Sequence, residues 1–253
     1  MTIIKPIIIA NWKINLSLKK QLALAVELKK QLAGVKGKDV VVCPSFVSLA
    51  AISGELKKSN IFLGAQDVFW EKTGAYTGEV SPDILRELNC KYVIVGHSER
   101  RQYVGETDEM VKKKVETCLG NDLTPIICVG ETRAERVEGQ TNNVIWHQMN
   151  KALENISLIE AEHVIIAYEP RWAIGTGKTV EVEDMEDVFK VIRQTLIDLY
   201  PLTIVNNNVR LIYGGSVDAS NAKEIVNSEL ISGLLIGTAS LDAKEFAQIV
   251  KLI

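Results

Sequence analysis

The chain has 253 residues, 47% of them hydrophobic and 24% charged, an ordinary soluble globular balance that leaves room for one large domain or two modest ones. Twenty-nine basic and 32 acidic residues give a formal net charge of -3 with no block of like charge, which argues against a nucleic-acid or anionic-membrane partner. An anionic ligand would have to be captured by a local set of donors.

The four cysteines, Cys43, Cys90, Cys118 and Cys128, form no Cys-x-x-Cys pair, so neither a zinc ribbon nor a dithiol redox motif is expected. Apolar runs such as Ile7-Ile8-Ile9-Ala10 fall far short of the roughly 20 residues of a spanning helix. The first residues lack the basic-then-apolar order of a signal peptide, and a reducing cytoplasmic setting is expected.

In chain order, short β-branched runs recur at Ile7-Ile8-Ile9-Ala10, Val40-Val41-Val42-Cys43, Ile61-Phe62-Leu63 and Tyr92-Val93-Ile94-Val95. They continue at Pro125-Ile126-Ile127-Cys128-Val129, Val164-Ile165-Ile166-Ala167-Tyr168, Val209-Arg210-Leu211-Ile212-Tyr213 and Leu234-Leu235-Ile236. Most are continuously apolar, the pattern of parallel strands covered on both faces. Amphipathic segments separate them. Leu18, Leu22, Ala25, Leu28 and Leu32 share one helical stripe, as do Val182, Met185, Phe189, Ile192, Leu196 and Leu199. Ser81-Pro82 reads as a helix cap followed by proline at the first helical position. Eight β–α units without a linker predict an α/β fold and fit a closed single-domain (β/α)8 barrel over residues 1–253, with eight parallel strands and outer helices, better than an open doubly wound sheet, which usually has fewer strands. Function would then sit where the strands end.

The residues just past each strand form a short set. Asn11-Trp12-Lys13 follows the first, Gly96-His97-Ser98-Glu99-Arg100-Arg101 the fourth, and Glu169-Pro170-Arg171-Trp172 the sixth. Gly214-Gly215-Ser216 and Gly237-Thr238-Ala239-Ser240 follow the last two. Small residues at two adjacent strand ends let backbone N–H groups converge on an anion, whereas either pair alone could be a plain tight turn. Glu169 is placed beside apolar walls, where desolvation would make a carboxylate a better base; a rim ion pair is the bland alternative. A neutral His97 ring could donate to a substrate oxygen, or be merely structural. Lys13 is a fixed cation or a solvated surface lysine, and Asn11 an oxygen ligand or a strand-ending turn residue. His147 and His163 carry no comparable signal. Residues 170–178 read as a hinged lid or as an ordinary loop. Gly177-Lys178-Thr179 resembles the end of a P-loop, but Trp172 stands where that motif needs glycine.

Together Asn11-Trp12-Lys13, Gly74-Ala75-Tyr76-Thr77-Gly78-Glu79, residues 93–101, Cys128-Val129-Gly130-Glu131, residues 168–177, Tyr213-Gly214-Gly215-Ser216 and the Gly237 region resemble the triosephosphate isomerase family. The resemblance covers essentially the whole chain. It implies interconversion of dihydroxyacetone phosphate and glyceraldehyde 3-phosphate through an enediolate, as in glycolysis and gluconeogenesis, without metal or organic cofactor. Carried over, Glu169 is the base, His97 the neutral donor to the carbonyl oxygens, Lys13 the cation at the enediolate, with Asn11 supporting that site and Glu99 buttressing Lys13. Backbone N–H groups of Gly175, Ser216, Gly237 and Thr238 would hold the phosphate. Pro170, Trp172, Ala173, Ile174, Gly175, Thr176 and Gly177 would form the lid. A homodimer is implied, with a loop over residues 66–79 carrying Thr77 toward the neighbouring site. Arg171 and Thr238 depart from the family pattern, which usually has an aliphatic residue and a second glycine there. A non-catalytic phosphosugar-binding barrel, or another phosphate-barrel enzyme, would share many of these features.

Overall fold

In the computed structural model, which describes residues 5–159, 163–173 and 182–253, eight parallel strands close into a barrel in sequence order. They are β1 Ile7–Asn11, β2 Asp39–Cys43, β3 Ile61–Ala65 and β4 Cys90–Val95, then β5 Thr124–Val129, β6 Val164–Tyr168, β7 Val209–Tyr213 and β8 Gly233–Ile236. Pairing of β1 with β8, Ile7 opposite Gly233 through Ala10 opposite Ile236, makes the closure. Every run expected from the sequence is a strand; β6 and β7 match their runs residue for residue, and the other six extend theirs by one or two residues.

The runs are apolar throughout because both faces of the barrel wall are covered. Alternate side chains of each strand point to opposite sides. Ile7, Ile9, Val41, Ile94, Ile126, Ile165, Ala167 and Leu235 fill the barrel interior. Ile8, Ala10, Val40, Val42, Val95, Ile127 and Ile166 face the helices. Full burial of one such aliphatic side chain is worth about 1.5–3 kcal/mol. At the barrel floor Arg210 pairs with Asp39 at 2.7 Å.

The outer layer comprises α1 Leu18–Gln31, α2 Leu49–Leu56, α3 Pro82–Glu87, α4 Asp108–Leu119 and α5 Arg133–Val137, followed by α6 Thr141–Ala152, α7 Val182–Leu199, α8 Leu202–Asn208, α9 Ala222–Ile225 and α10 Ala243–Leu252. Ser81 caps α3 by accepting the Ile84 N–H, with Pro82 in the first turn as its sequence suggests. The α1 stripe needs one correction. Leu18 is exposed, and Gln21 is buried in its stead. Gln21 is accommodated because it donates to the Leu16 carbonyl at 2.9 Å and the Ser45 hydroxyl at 2.8 Å and accepts the Ser45 N–H at 3.0 Å. In α7, Met185, Phe189, Ile192 and Leu196 are buried, while Leu199 is about one-third exposed (37%).

Candidate active site

The loops that follow the strands' C-terminal ends enclose a cleft of about 380 Å³, lined among others by Asn11, Lys13, His97, Glu169, Ser216, Gly237 and Thr238. Residues up to 234 positions apart in the chain, Asn11 and Glu245, thus share one mouth because the barrel brings its strand ends together.

Glu169 follows β6 directly and its N–H continues the ladder to the Val129 carbonyl at 2.7 Å. Only 2% of the residue is exposed. Two glycines make this placement possible: a Cβ on Gly130 would lie 1.7 Å from the Glu169 carbonyl oxygen, and one on Gly214 would lie 2.9 Å from its Cγ. The carboxylate is held at both oxygens. Oε1 is 3.0 Å from His97 Nε2, and Oε2 accepts the Ser98 N–H at 3.0 Å. The Glu99 N–H donates to His97 Nδ1 at 3.2 Å, so the ring's own proton belongs on Nε2, facing Glu169.

The expected basicity of Glu169 is corrected by these contacts. Burial pushes its carboxyl up, but the His97 ring, the Ser98 N–H and Lys13 together more than offset that, leaving the group below the usual glutamate range. Desolvation alone is therefore a poor guide to this residue.

Lys13 stands two residues past β1 with φ 51°, a left-handed conformation that costs of order 1–3 kcal/mol for a side-chain-bearing residue. Asn11 Oδ1 accepts its N–H at 3.2 Å, and its ammonium meets Glu99 Oε1 at 2.6 Å. The ammonium is therefore held at the cleft, and Asn11, the last residue of β1, both closes this turn and lines the cleft. His147 and His163, by contrast, are in solvent.

At the other end, Ser216 donates its hydroxyl to the Ala173 carbonyl at 2.9 Å. Thr238 opens a short 3-10 helix, Thr238–Leu241, after Gly237. Of the lid expected from the resemblance, Pro170, Trp172 and Ala173 are described, with the Ala173 N–H bonded to the Pro170 carbonyl at 2.8 Å. Ile174, Gly175, Thr176 and Gly177 lie outside the described residues, as does the remainder of the P-loop-like stretch. Arg171 donates its N–H to the Glu131 carbonyl at 3.1 Å. Thr77 is exposed in the loop after β3.

Several contributors were not singled out by sequence reasoning. Asp218, Asn221 and Glu245 also line the cleft. The fully buried Glu131 carboxylate accepts from the Trp172 indole at 2.8 Å and the Tyr168 hydroxyl at 3.2 Å. Arg136 lies 4.7 Å over the Trp172 ring. Behind His97, Glu106 accepts the Gly96 N–H at 3.1 Å and pairs with Lys114 at 3.2 Å. Lys114 also meets Asp67 at 2.6 Å, and Asp67 meets Arg100 at 2.9 Å. Of these, Glu131 carried a signal within the Cys128-Val129-Gly130-Glu131 motif, Arg100 within the Gly96–Arg101 run, and Tyr168 and Trp172 within residues 168–177. Among the described residues, no group of three His, Cys, Asp or Glu side chains could hold a metal ion.

A carboxylate, an imidazole N–H and an ammonium thus converge beside two small-residue strand ends, an arrangement able to move a proton next to an oxygen that gains negative charge. Comparison with known proteins agrees with that chemistry. The family model described as triosephosphate isomerase matches residues 6–253. Triosephosphate isomerases of Thermoanaerobacter pseudethanolicus and Moorella thermoacetica are each 48% identical over 246 residues, covering 97% of this chain and 98% of theirs. The crystal structure of triosephosphate isomerase from Bartonella henselae superposes with a TM-score of 0.88 at 32% identity, covering 98% of this chain and 99% of that one.

Proposed function

Starting from a chain that belongs to the triosephosphate isomerase family and interconverts dihydroxyacetone phosphate and glyceraldehyde 3-phosphate, we propose which residues perform the reaction. Glu169 takes the proton from the substrate carbon and returns it to the neighbouring one. Such a positioned base contributes roughly 10² to 10⁴ in rate. His97 donates through Nε2 to the carbonyl oxygens. That nitrogen lies 3.0 Å from Glu169 Oε1, close enough for the N–H to pass to a substrate oxygen as the carboxylate turns to the carbon. Lys13, steadied by Glu99, faces the negative charge that builds on oxygen in the enediolate, with Asn11 beside it. A preorganised donor of this kind is typically worth ~3 to 4 kcal/mol.

The phosphoryl group binds at the other end of the cleft, on the backbone N–H groups of Ser216, Gly237 and Thr238. Gly175, outside the described residues, completes that set by family resemblance. Binding energy gained there orients the carbons that react. We read residues 1–253 as one catalytic domain.

The observation that carries this reading is the joint placement of the Glu169–His97 pair and the Lys13–Glu99 pair in one cleft. It is tested by a coupled isomerase assay with and without 2-phosphoglycolate, an anionic mimic of the planar enediolate. Strong competitive inhibition is expected, since a site shaped for the intermediate binds its mimic tightly. Triose phosphate binding without turnover would instead favour a phosphosugar-binding barrel.

A homodimer is the proposed assembly. Supporting it, Ile14 is 91% exposed beside Lys13, and Val47, Tyr103 and Val104 are exposed in short helical turns that follow other strands, apolar surface that a second copy of the chain would cover. The exposed loop with Thr77 would enter the neighbouring protomer. Sedimentation should give twice the chain mass, and Val104→Asp should shift it toward a single chain. A cytoplasmic setting is supported by four cysteines that are free and buried.

A further inference from the structure

We infer that Gln66 is a positioning residue for Lys13: it holds the lysine backbone in the left-handed conformation that sends the ammonium to Glu99 and the cleft. The inference rests on the proposed role of Lys13 at the developing oxyanion. With φ 51°, Lys13 occupies a region that a lysine leaves when nothing restrains it. Both of its flanking peptide groups are restrained. Asn11 Oδ1 takes its N–H at 3.2 Å, and Gln66 Nε2 donates to its carbonyl at 3.0 Å.

The same Nε2 donates at 2.9 Å to the Cys43 carbonyl at the end of β2, which also receives the Trp12 N–H at 3.1 Å. An amide nitrogen carries two protons, and both are used here. Gln66 directly follows β3. Two neighbouring strand ends thus grip the loop that carries Lys13, through a side chain that is not among those lining the cleft. Gln66 therefore acts through the lysine and not on the substrate. Glutamate in its ionised form or methionine would fill a similar volume but offer neither proton.

A double-mutant cycle separates this role from a general structural one. Gln66→Met should lower kcat/KM about 10- to 100-fold, the scale expected when a reacting group is misplaced by up to about 1 Å, and should weaken 2-phosphoglycolate binding. In a Lys13→Met background the same substitution should change kcat/KM by less than about 2-fold, because the group it positions is already gone. Equal losses in both backgrounds overturn the inference, as does an unchanged kcat/KM in Gln66→Met alone. Retained activity in Lys13→Met alone would refute the role of the lysine itself, a distinct result. If far-UV circular dichroism shows Gln66→Met to be unfolded, Gln66→Glu replaces it in the same cycle with the same expectations. Failure of both to fold assigns Gln66 to structure and overturns the proposal.

Discussion

His97 Nε2 sits 3.0 Å from Glu169 Oε1 while the Ser98 N–H holds the other oxygen at 3.0 Å, so both oxygens of the base have a hydrogen-bond donor. To reach a carbon it must release one of these partners. The partners also set its ionisation. Burial acts to raise the Glu169 carboxyl, and the His97 ring, the Ser98 N–H and Lys13 outweigh it, so the group stays ionised to lower pH than an ordinary glutamate. The base works ionised, and activity is lost only as pH falls through this lowered value. The acid limb of kcat/KM, which reports the free enzyme, should therefore lie below the usual glutamate value of about 4.3. A pH–rate profile corrected for ionisation of the substrate phosphate near pH 6 measures it. A corrected limb above pH 5 would contradict the assignment.

Glu169→Asp should leave triose phosphate binding nearly intact and slow turnover by about 10²-fold, because withdrawing the carboxylate by ~1 Å misplaces the base. Steady-state kinetics separates the two effects: kcat falls, and KM stays close to the parent. Near-normal turnover would remove Glu169 from the base role.

Gly214→Ala approaches the same group from outside. The added methyl would lie 2.9 Å from Glu169 Cγ, closer than real contacts allow, so the carboxylate side chain must shift. The backbone N–H of residue 214 keeps its bond to the Tyr168 carbonyl. The expected result is a fall in kcat of roughly 10²-fold, comparable to Glu169→Asp, with little change in melting temperature. A large drop in stability with unchanged kcat would place the strain in the barrel wall instead.

The strands were legible because a barrel wall buried on both faces writes itself as unbroken β-branched runs, and the site because each chemical group stands just past such a run. Gln21 shows where periodicity stops being informative. A polar residue can take a buried position in α1 when Ser45 and the Leu16 carbonyl satisfy it, and those partners are invisible from the helix alone. Gln66, Glu106 and Lys114 escaped for the same reason: each is defined by contacts with residues elsewhere in the chain, Lys13, Gly96 and Asp67 respectively. The direction of the Glu169 shift also needed geometry, since it is a balance of opposing neighbours, not a property of its strand.

The buried ions behind His97 give the sharpest test of stability against pH. Burial pushes the Asp67 carboxyl up to about 6, against the opposing pull of Lys114. In the folded chain Asp67 therefore binds a proton between its unfolded value of about 3.9 and that raised value, and stability attributable to it declines as pH rises through this window. Lys114 meets both Asp67 and Glu106 in the interior. Lys114→Met would leave the two carboxylates with Arg100 as their one remaining partner cation, 2.9 Å from Asp67 and 2.5 Å from Glu106, and so one buried negative charge uncompensated, a loss of about 3–5 kcal/mol at pH 7.5. Removing the cation raises Asp67 further, so acidification lets it take up a proton and relieves the unpaired charge. The loss should thus shrink between pH 7.5 and 5.5, as measured by urea unfolding of parent and variant at one protein concentration. Equal losses at the two pH values would mean that Asp67 does not titrate in this range, and a loss below about 1 kcal/mol at pH 7.5 would mean that solvent reaches the cluster.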